Sequence, residues 1–496
     1  MNFRLLTSNQ IRTLVLTGVC LLFQSPITYA MLSATTANTI KGNPPYLTFD
    51  NGVTKIRSSD ELVGIQIGNH FYKKTDAVST ATTPIILPTS FTTLENIKSL
   101  IPSGELSLNL ADLINSSGIV RDDDGDANLT LTGTLTMTIV DKFGNTVNLT
   151  DTLLKANAPY KITMSSTAGS IQTQYGDPKT TLLNATSASY FVLPNISPYA
   201  TYAQPNMEQK HGARPEWNNV YGFKVQSPTT PGGAVIPEKN FPRTGFNKAY
   251  FNLTVVDTTA DEVIAESADS SNKVISNNGG EIFLQLSKVS DNVVKVELNG
   301  PSYHTPIGDT AVNLPKTFEL KARRTDGELI TLYGFTLSKW FISNDNTANN
   351  RGHIYPYTKA EEYCRDLAGG YRIPSVTELT NANNNNYQWN WGLAGNGNQY
   401  VRSIGHGKKN PQIPDEDGGL FAEWGYVSKN GGQYQGQYYP RYPGSDFIDN
   451  DYWTNDAFTA KSVNDPPSKY TVHSDDGGLG YTEINMYTFR VVCVSE

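Results

Sequence analysis

Hydrophobic residues fall on every second position through much of the first half of the chain. Leu106, Leu108 and Leu110 alternate with polar residues, and Leu129, Leu131, Leu135, Met137 and Ile139 continue the period with threonine on the other face. Phe143-Gly-Asn-Thr146 supplies a turn, after which Val147 and Leu149 resume the pattern. Period-two runs rich in Thr and Val, broken by Gly/Asn turns, predict antiparallel strands of a β-sandwich. A second block has the same grammar. Phe251, Leu253 and Val255 alternate, then Ile282, Leu284 and Leu286, then Val294, Val296 and Leu298. Phe318, Leu320 and Ala322 lead into Arg324-Thr-Asp-Gly327, a hairpin turn of the Asp-Gly type, and a returning strand from Leu329 to Ile342. No exact repeat relates the two blocks.

Between them the alternation stops. Pro198, Pro205, Pro215, Pro228, Pro231, Pro237 and Pro242 crowd one stretch, and few regular elements survive such spacing. Trp217, Tyr221 and Phe223 lie inside it, so it reads as an extended connector that packs on its neighbours. After Ser343 the period changes to that of a helix. Thr358-Lys-Ala-Glu361 reads as a capping box, followed by a stripe of Ala360, Tyr363, Cys364 and Leu367 that Gly369-Gly370 ends. Ser375-Val-Thr-Glu378 repeats the capping logic after Pro374. Alternation over Met486 to Cys493 predicts a closing strand.

The N-terminus changes the compartment. Arg4 and Arg12, the apolar run Thr13 to Phe23 and small residues up to Ala30 describe a secretory signal peptide cleaved after Ala30. A lipid-modified Cys20 is the rival, against which stands the bulky Val19. Cleavage takes the 39 Lys and Arg to 37 against 47 acids, a net charge of −10. That balance suits no nucleic-acid backbone. No later stretch is long and apolar enough for a membrane span. Two of the three cysteines remain, Cys364 and Cys493. An exported chain permits a disulfide, and only one intramolecular pairing is possible; unpaired thiols are the alternative.

Ala360-Glu-Glu-Tyr-Cys364, Gly369-Gly-Tyr-Arg-Ile-Pro374-Ser-Val-Thr-Glu-Leu379, Asp451-Tyr-Trp453-Thr454 and Phe489-Arg-Val-Val-Cys493-Val together resemble one module. It is the C-type-lectin-like domain that tips the intimin and invasin family of enterobacterial adhesins. The resemblance covers about 160 residues and implies that Cys364 and Cys493 pair. Leu108-Asn-Leu110, Asp122-Asp-Asp-Gly-Asp126, Asn240-Phe-Pro242-Arg-Thr-Gly245 and Tyr333-Gly-Phe335 are similar to immunoglobulin-like and adhesion modules of the same inverse-autotransporter group. The outer-membrane barrel of that family has no counterpart here, which suits a separate passenger exported by an intimin-like barrel.

The expected fold is therefore mainly β, with immunoglobulin-like β-sandwich modules followed by an α+β C-type-lectin-like domain. The expected plan is a signal peptide (1–30), a linker (31–44), a β-sandwich adhesion module (45–193), the Pro-rich connector (194–246), an immunoglobulin-like sandwich (247–342) and the lectin-like domain (343–496).

Several motifs bear on chemistry. Asp122, Asp124 and Asp126 offer hard oxygen donors beside a turn glycine, which fits either a structural calcium or a solvated acidic loop; the EF-hand spacing fails. Trp453-Thr-Asn455-Asp456 is similar to the Asn-Asp pair of calcium-dependent lectins. The complementary loop is missing, and in the intimin branch this tryptophan is core. Trp389 and Trp391 among asparagines, and Tyr434, Tyr438, Tyr439, Arg441 and Tyr442 among glycines and glutamines, are candidate ligand-contact residues. Their alternative is packing back onto the core. Six scattered histidines form no His-Glu-x-x-His pair, and neither a Gly-x-Ser-x-Gly elbow nor a phosphate-cradling loop occurs. No catalytic residue is expected. The reading is a secreted adhesin-like protein, delivered through the periplasm of a Gram-negative bacterium, that recognises a host or bacterial-surface protein or glycan. The alternatives are a calcium-dependent lectin or a non-adhesive cargo of the barrel.

Overall fold

The computed structural model describes residues 42–495, apart from 77–78, 116–117, 127, 210–211, 277, 345–353, 393–396, 406–418, 430–432, 435–436, 439–441 and 460–464. The signal peptide and most of the 31–44 linker lie outside that range. Strand accounts for 37% and helix for 13%, so the molecule is mainly β, as the alternation requires.

The chain forms two compact units. Among the described residues, the first collects 42–63, 107–136 and 165–186; the second collects 64–106, 137–164 and 187–495. In the first unit, Tyr46–Leu47 pairs with Val120–Arg121, and Gly169–Gln172 lies between Thr130–Thr132 and Thr180–Leu183. Leu47, Leu131, Ile171 and Leu183 fill its interior. The expected strand over 105–110 shortens to Ser107–Asn109, because Leu110 turns into a 3-10 helix and Leu106 stays 41% exposed.

A seven-stranded sheet forms the centre of the second unit. Its strands are, in order, Trp217–Asn218, Gly222–Lys224, Tyr199–Gln204, Tyr250–Val256, Val293–Asn299, Gly279–Ser290 and Lys273–Ser276. Three of these strands come from the stretch expected to hold few regular elements. The prolines fall between the strands, where they cost no ladder hydrogen bond. The alternating residues of the second block face inward as read, with Phe251, Leu253, Val294, Val296 and Leu298 fully buried. Between its strands the sequence reading missed a helix, Ala260–Ser267, whose N-terminus Thr259 caps by accepting the Glu262 N–H. Thr259-x-x-Glu262 is itself a capping-box spacing and was legible.

The Asp-Gly hairpin forms between Lys316–Arg323 and Leu329–Leu337, with Gly327 at φ +88°. The returning strand does not run unbroken to Ile342. It breaks at Ser338, and Lys339–Ser343 joins another sheet, parallel to Thr244–Phe246 and antiparallel to Val492–Ser495. One hydrophobic cluster then extends from Ala200 to Val494. The boundaries expected at 246/247 and 342/343 cut across this cluster, and the second severs a strand.

Buried polar groups hold the same core together. The Glu423 carboxylate is fully buried and accepts the Thr244 hydroxyl at 2.6 Å and the N–H groups of Thr244 and Gly405 at 2.9 Å. It sits on Gly419–Trp424, a short helix with every residue buried, which periodicity over six residues did not reveal. Arg402 lies 4.2 Å from the Trp217 ring centre and donates to the Glu423 carbonyl at 2.8 Å.

Candidate functional site

The C-terminal part of the second unit, which includes three helices and a three-stranded sheet, holds most of the residues singled out by sequence, whereas Asp122, Asp124 and Asp126 lie in the first unit. The first helix spans Tyr357–Asp366 and buries Tyr357, Ala360 and Cys364. It starts one residue before Thr358, with Pro356 at its N-cap, so the Thr358 capping box is not formed. Proline is well placed at a helix start because its missing N–H has no partner to lose. The second capping box is used: in Val376–Leu379 the Glu378 carboxylate accepts the Ser375 N–H at 2.7 Å. Gly419–Trp424 is the third.

Cys364 and Cys493 are joined, with Cα atoms 5.3 Å apart across 129 positions. The bridge ties the 357–366 helix to the strand Val492–Ser495. That strand is shorter than the alternation over 486–493 suggested. Met486 and Tyr487 are exposed and lie outside it; Phe489 and Arg490 form only isolated bridges to Tyr355 and Tyr452, and the continuous ladder begins where Ser343 meets Val492.

The sheet Asp451–Phe458, Ser468–His473 and Leu479–Glu483 provides an aromatic base. Tyr481 lies flat on Phe458 with ring centres 3.7 Å apart. Tyr387 meets Tyr481 edge-on at 5.0 Å, and Trp389 meets Tyr470 at 4.9 Å. The Tyr470 hydroxyl donates to the Tyr387 carbonyl at 2.6 Å, and burial pushes that hydroxyl's pKa up, so it stays a proton donor. Asn384 and Trp389 close a tight loop by exchanging backbone hydrogen bonds of 2.8 and 3.0 Å, with Gln388 in the left-handed region at φ +60°. The loop is thus fixed from below by three aromatic rings and held shut by its own backbone.

Its open side carries exposed amides, and an exposed amide and an indole follow just past the closure. Asn385, Asn386, Gln388 and Asn390 are exposed, and Trp391 is 49% exposed. Trp389, read with Trp391 as a contact residue, is only 8% exposed and belongs to the base. Two residues apart in sequence, the tryptophans have opposite roles, which composition alone could not separate.

The other candidate loop divides as well. Gln433–Tyr434 pairs with Gln437–Tyr438 as a short hairpin. The Tyr434 and Tyr438 side chains, with Tyr439 and Arg441, lie outside the described residues. Tyr442 is 1% exposed and packs in the core, its hydroxyl donating to the Trp424 carbonyl at 2.9 Å. It also lines a small cleft with Gln204, Pro205, Met207 and Asn252.

The lectin-type residues are otherwise engaged. Trp453 is fully buried and donates its indole N–H to the Tyr355 carbonyl at 2.8 Å. Asn455 is exposed, while the Asp456 carboxylate accepts the Val376 N–H at 2.7 Å. In the first unit, Asp122 accepts the Asp124 N–H at 2.8 Å, and Asp124 accepts the Asn43 N–H. The neighbouring Asp123 binds Lys55 and the Tyr46 hydroxyl, and the lysine holds its carboxyl below the usual range. Asp122, Asp124 and Asp126 do not converge; among the described residues no group of three or more His, Cys, Asp or Glu is placed to hold a metal ion.

No protein-family model matches the sequence, and no curated protein does. Among solved structures, the chain has a slight likeness to SGBP-B of the mixed-linkage glucan utilization locus of Bacteroides ovatus, solved in complex with a mixed-linkage heptasaccharide. The two are 11% identical over 57% of this chain and 53% of that one, with a TM-score of 0.12, so the match spans about half of that protein's length.

Proposed function

We propose that this chain is a secreted, non-catalytic, adhesin-like binding protein that recognises a macromolecular surface ligand through the Asn385–Trp391 loop. One observation carries the reading: an exposed indole and four exposed amides stand on a loop whose base is locked by Tyr387, Trp389, Tyr470 and Tyr481. Rigid aromatic area lowers the entropy lost on binding, and amides add adaptable hydrogen bonds. The resemblance to intimin and invasin modules, including the helix-to-strand disulfide, points the same way and makes a surface protein the favoured ligand. In that family's terms the chain is a passenger that an intimin-like barrel exports through the periplasm.

The test is binding of the purified chain to epithelial and bacterial cells, with and without EDTA. The parent should bind in both conditions. Trp391→Ala should weaken binding about tenfold or more, as loss of a contact hot spot does. Failure to bind either cell type, or undiminished binding by Trp391→Ala, would remove this loop from the account. EDTA-sensitive binding would instead favour the calcium-dependent lectin.

A further inference from the structure

Of the six tryptophans, only Trp391 stands out in solvent. Trp217, Trp340, Trp389, Trp424 and Trp453 are at most 8% exposed, whereas Trp391 is 49% exposed. It lies beyond the closure that Asn384 and Trp389 make, so that closure does not fix it. An indole on a loose backbone would have to be ordered on binding, at a cost in affinity.

The residue that follows it supplies an anchor. The Gly392 N–H donates to the Asn383 side-chain oxygen at 2.8 Å. Asn383 is 8% exposed, and its own N–H donates to the Gly397 carbonyl at 3.0 Å. Both limbs around it are tied to the start of the Leu479–Glu483 strand. The Asn398 side chain accepts the Leu479 N–H at 2.6 Å and donates to the Leu479 carbonyl at 3.2 Å. Asn384 donates to the same carbonyl at 3.4 Å. Gly392 in turn is pressed against the buried segment Asn381-Ala382. A Cβ on it would come within 2.4 Å of the carbonyl oxygens of both residues, closer than real side chains approach. Its φ lies outside the left-handed region, so space and not backbone conformation demands glycine. With Trp389 fixed on one side and Gly392 on the other, only Asn390 and Trp391 span the anchors.

We infer that Asn383 and Gly392 are positioning residues for the contact made by Trp391. The Asn383 oxygen holds the backbone behind the indole, and Gly392 lets that backbone come close enough to the core for the bond to form. The inference rests on the reading of the Asn385–Trp391 loop as a ligand contact. It goes beyond that reading by assigning the display of the indole to two buried residues outside the contact.

Fluorine NMR of the full chain labelled with fluorotryptophan, paired with cell binding, tests it. Trp391→Phe identifies the Trp391 resonance by its loss. Asn383→Ala should shift and sharpen that resonance and leave those of Trp340, Trp424 and Trp453 in place. Its binding to the cells that the parent binds should weaken about fivefold, the weight of one hydrogen bond. Asn383→Asp keeps an acceptor for the Gly392 N–H and should restore both. Gly392→Ala should reproduce Asn383→Ala, and replaces it as the test if Asn383→Ala disturbs the buried resonances. Parent-like binding by both anchor variants would overturn the inference. So would binding lost with the Trp391 resonance unmoved, or an Asn383→Asp chain that binds no better than Asn383→Ala. Trp391→Ala keeps the two readings apart. If it binds like the parent, the loop is not the contact; if it loses binding while both anchor variants keep theirs, only the positioning role fails.

Discussion

Glu378 shows how one side chain does work in two elements. It begins the Val376–Leu379 helix by accepting the Ser375 N–H, and its carboxylate receives Arg372 through two contacts of 2.8 Å and Lys339 at 2.7 Å. Burial pushes its carboxyl up, but the two cations outweigh burial and hold it at about 2, against an ordinary 4.5. A depressed carboxyl stabilises the fold above its unfolded value, and that contribution is lost as pH falls from about 4.5 toward 2. The difference corresponds to about 3 kcal/mol. Urea titrations at descending pH should show this decline in the parent and a flatter one in Glu378→Gln; superimposable pH dependences would refute it. The capping role of Glu378 was readable from Ser375-x-x-Glu378. Its ion pairs were not, because Lys339 arrives from a strand 39 positions away.

At the level of elements, long alternating strands were legible and their ends were not. Tyr250–Val256, Val293–Asn299 and Lys316–Arg323 bury the residues that period two assigns inward. The 105–110 run lost half its length and the 486–493 run all but Val492 and Cys493, since a strand lasts only as far as it has a partner. The Cys364–Cys493 bridge links the 357–366 helix to the last strand, which pairs with Lys339–Ser343. In the loop-closure account, crosslinking 129 positions stabilises by up to about 4–5 kcal/mol. Replacing both cysteines by alanine should therefore lower the denaturation midpoint markedly. A midpoint equal to the parent's would show that strand pairing alone closes this part of the fold.

On the scale of the molecule, continuity of the core decides what counts as a domain. Trp340, Phe341 and Ile342 are at most 1% exposed, and their strand lies between Thr244–Phe246 and Val492–Ser495. A fragment starting at 343 loses that strand and uncovers the last one. We expect residues 343–496 expressed alone to unfold without a cooperative transition, even with the disulfide formed. A sharp transition with dispersed amide resonances would mean that this segment carries a sufficient core of its own.

Sequence by itself determined the strand-rich character, the facing of the long alternating runs and the identity of the one available cysteine pair, because local periodicity and residue count carry that information. It also marked the aromatic loops as candidates. Only the tertiary structure decided that Trp391 is displayed while Trp389 and Tyr442 are packed, and that Asp456 is spent on a helix N-terminus. It alone gathered Gln204, Asn252 and Tyr442 around one cleft. Those outcomes depend on which distant segments fill the space around each side chain, and neighbours in sequence share no rule for that.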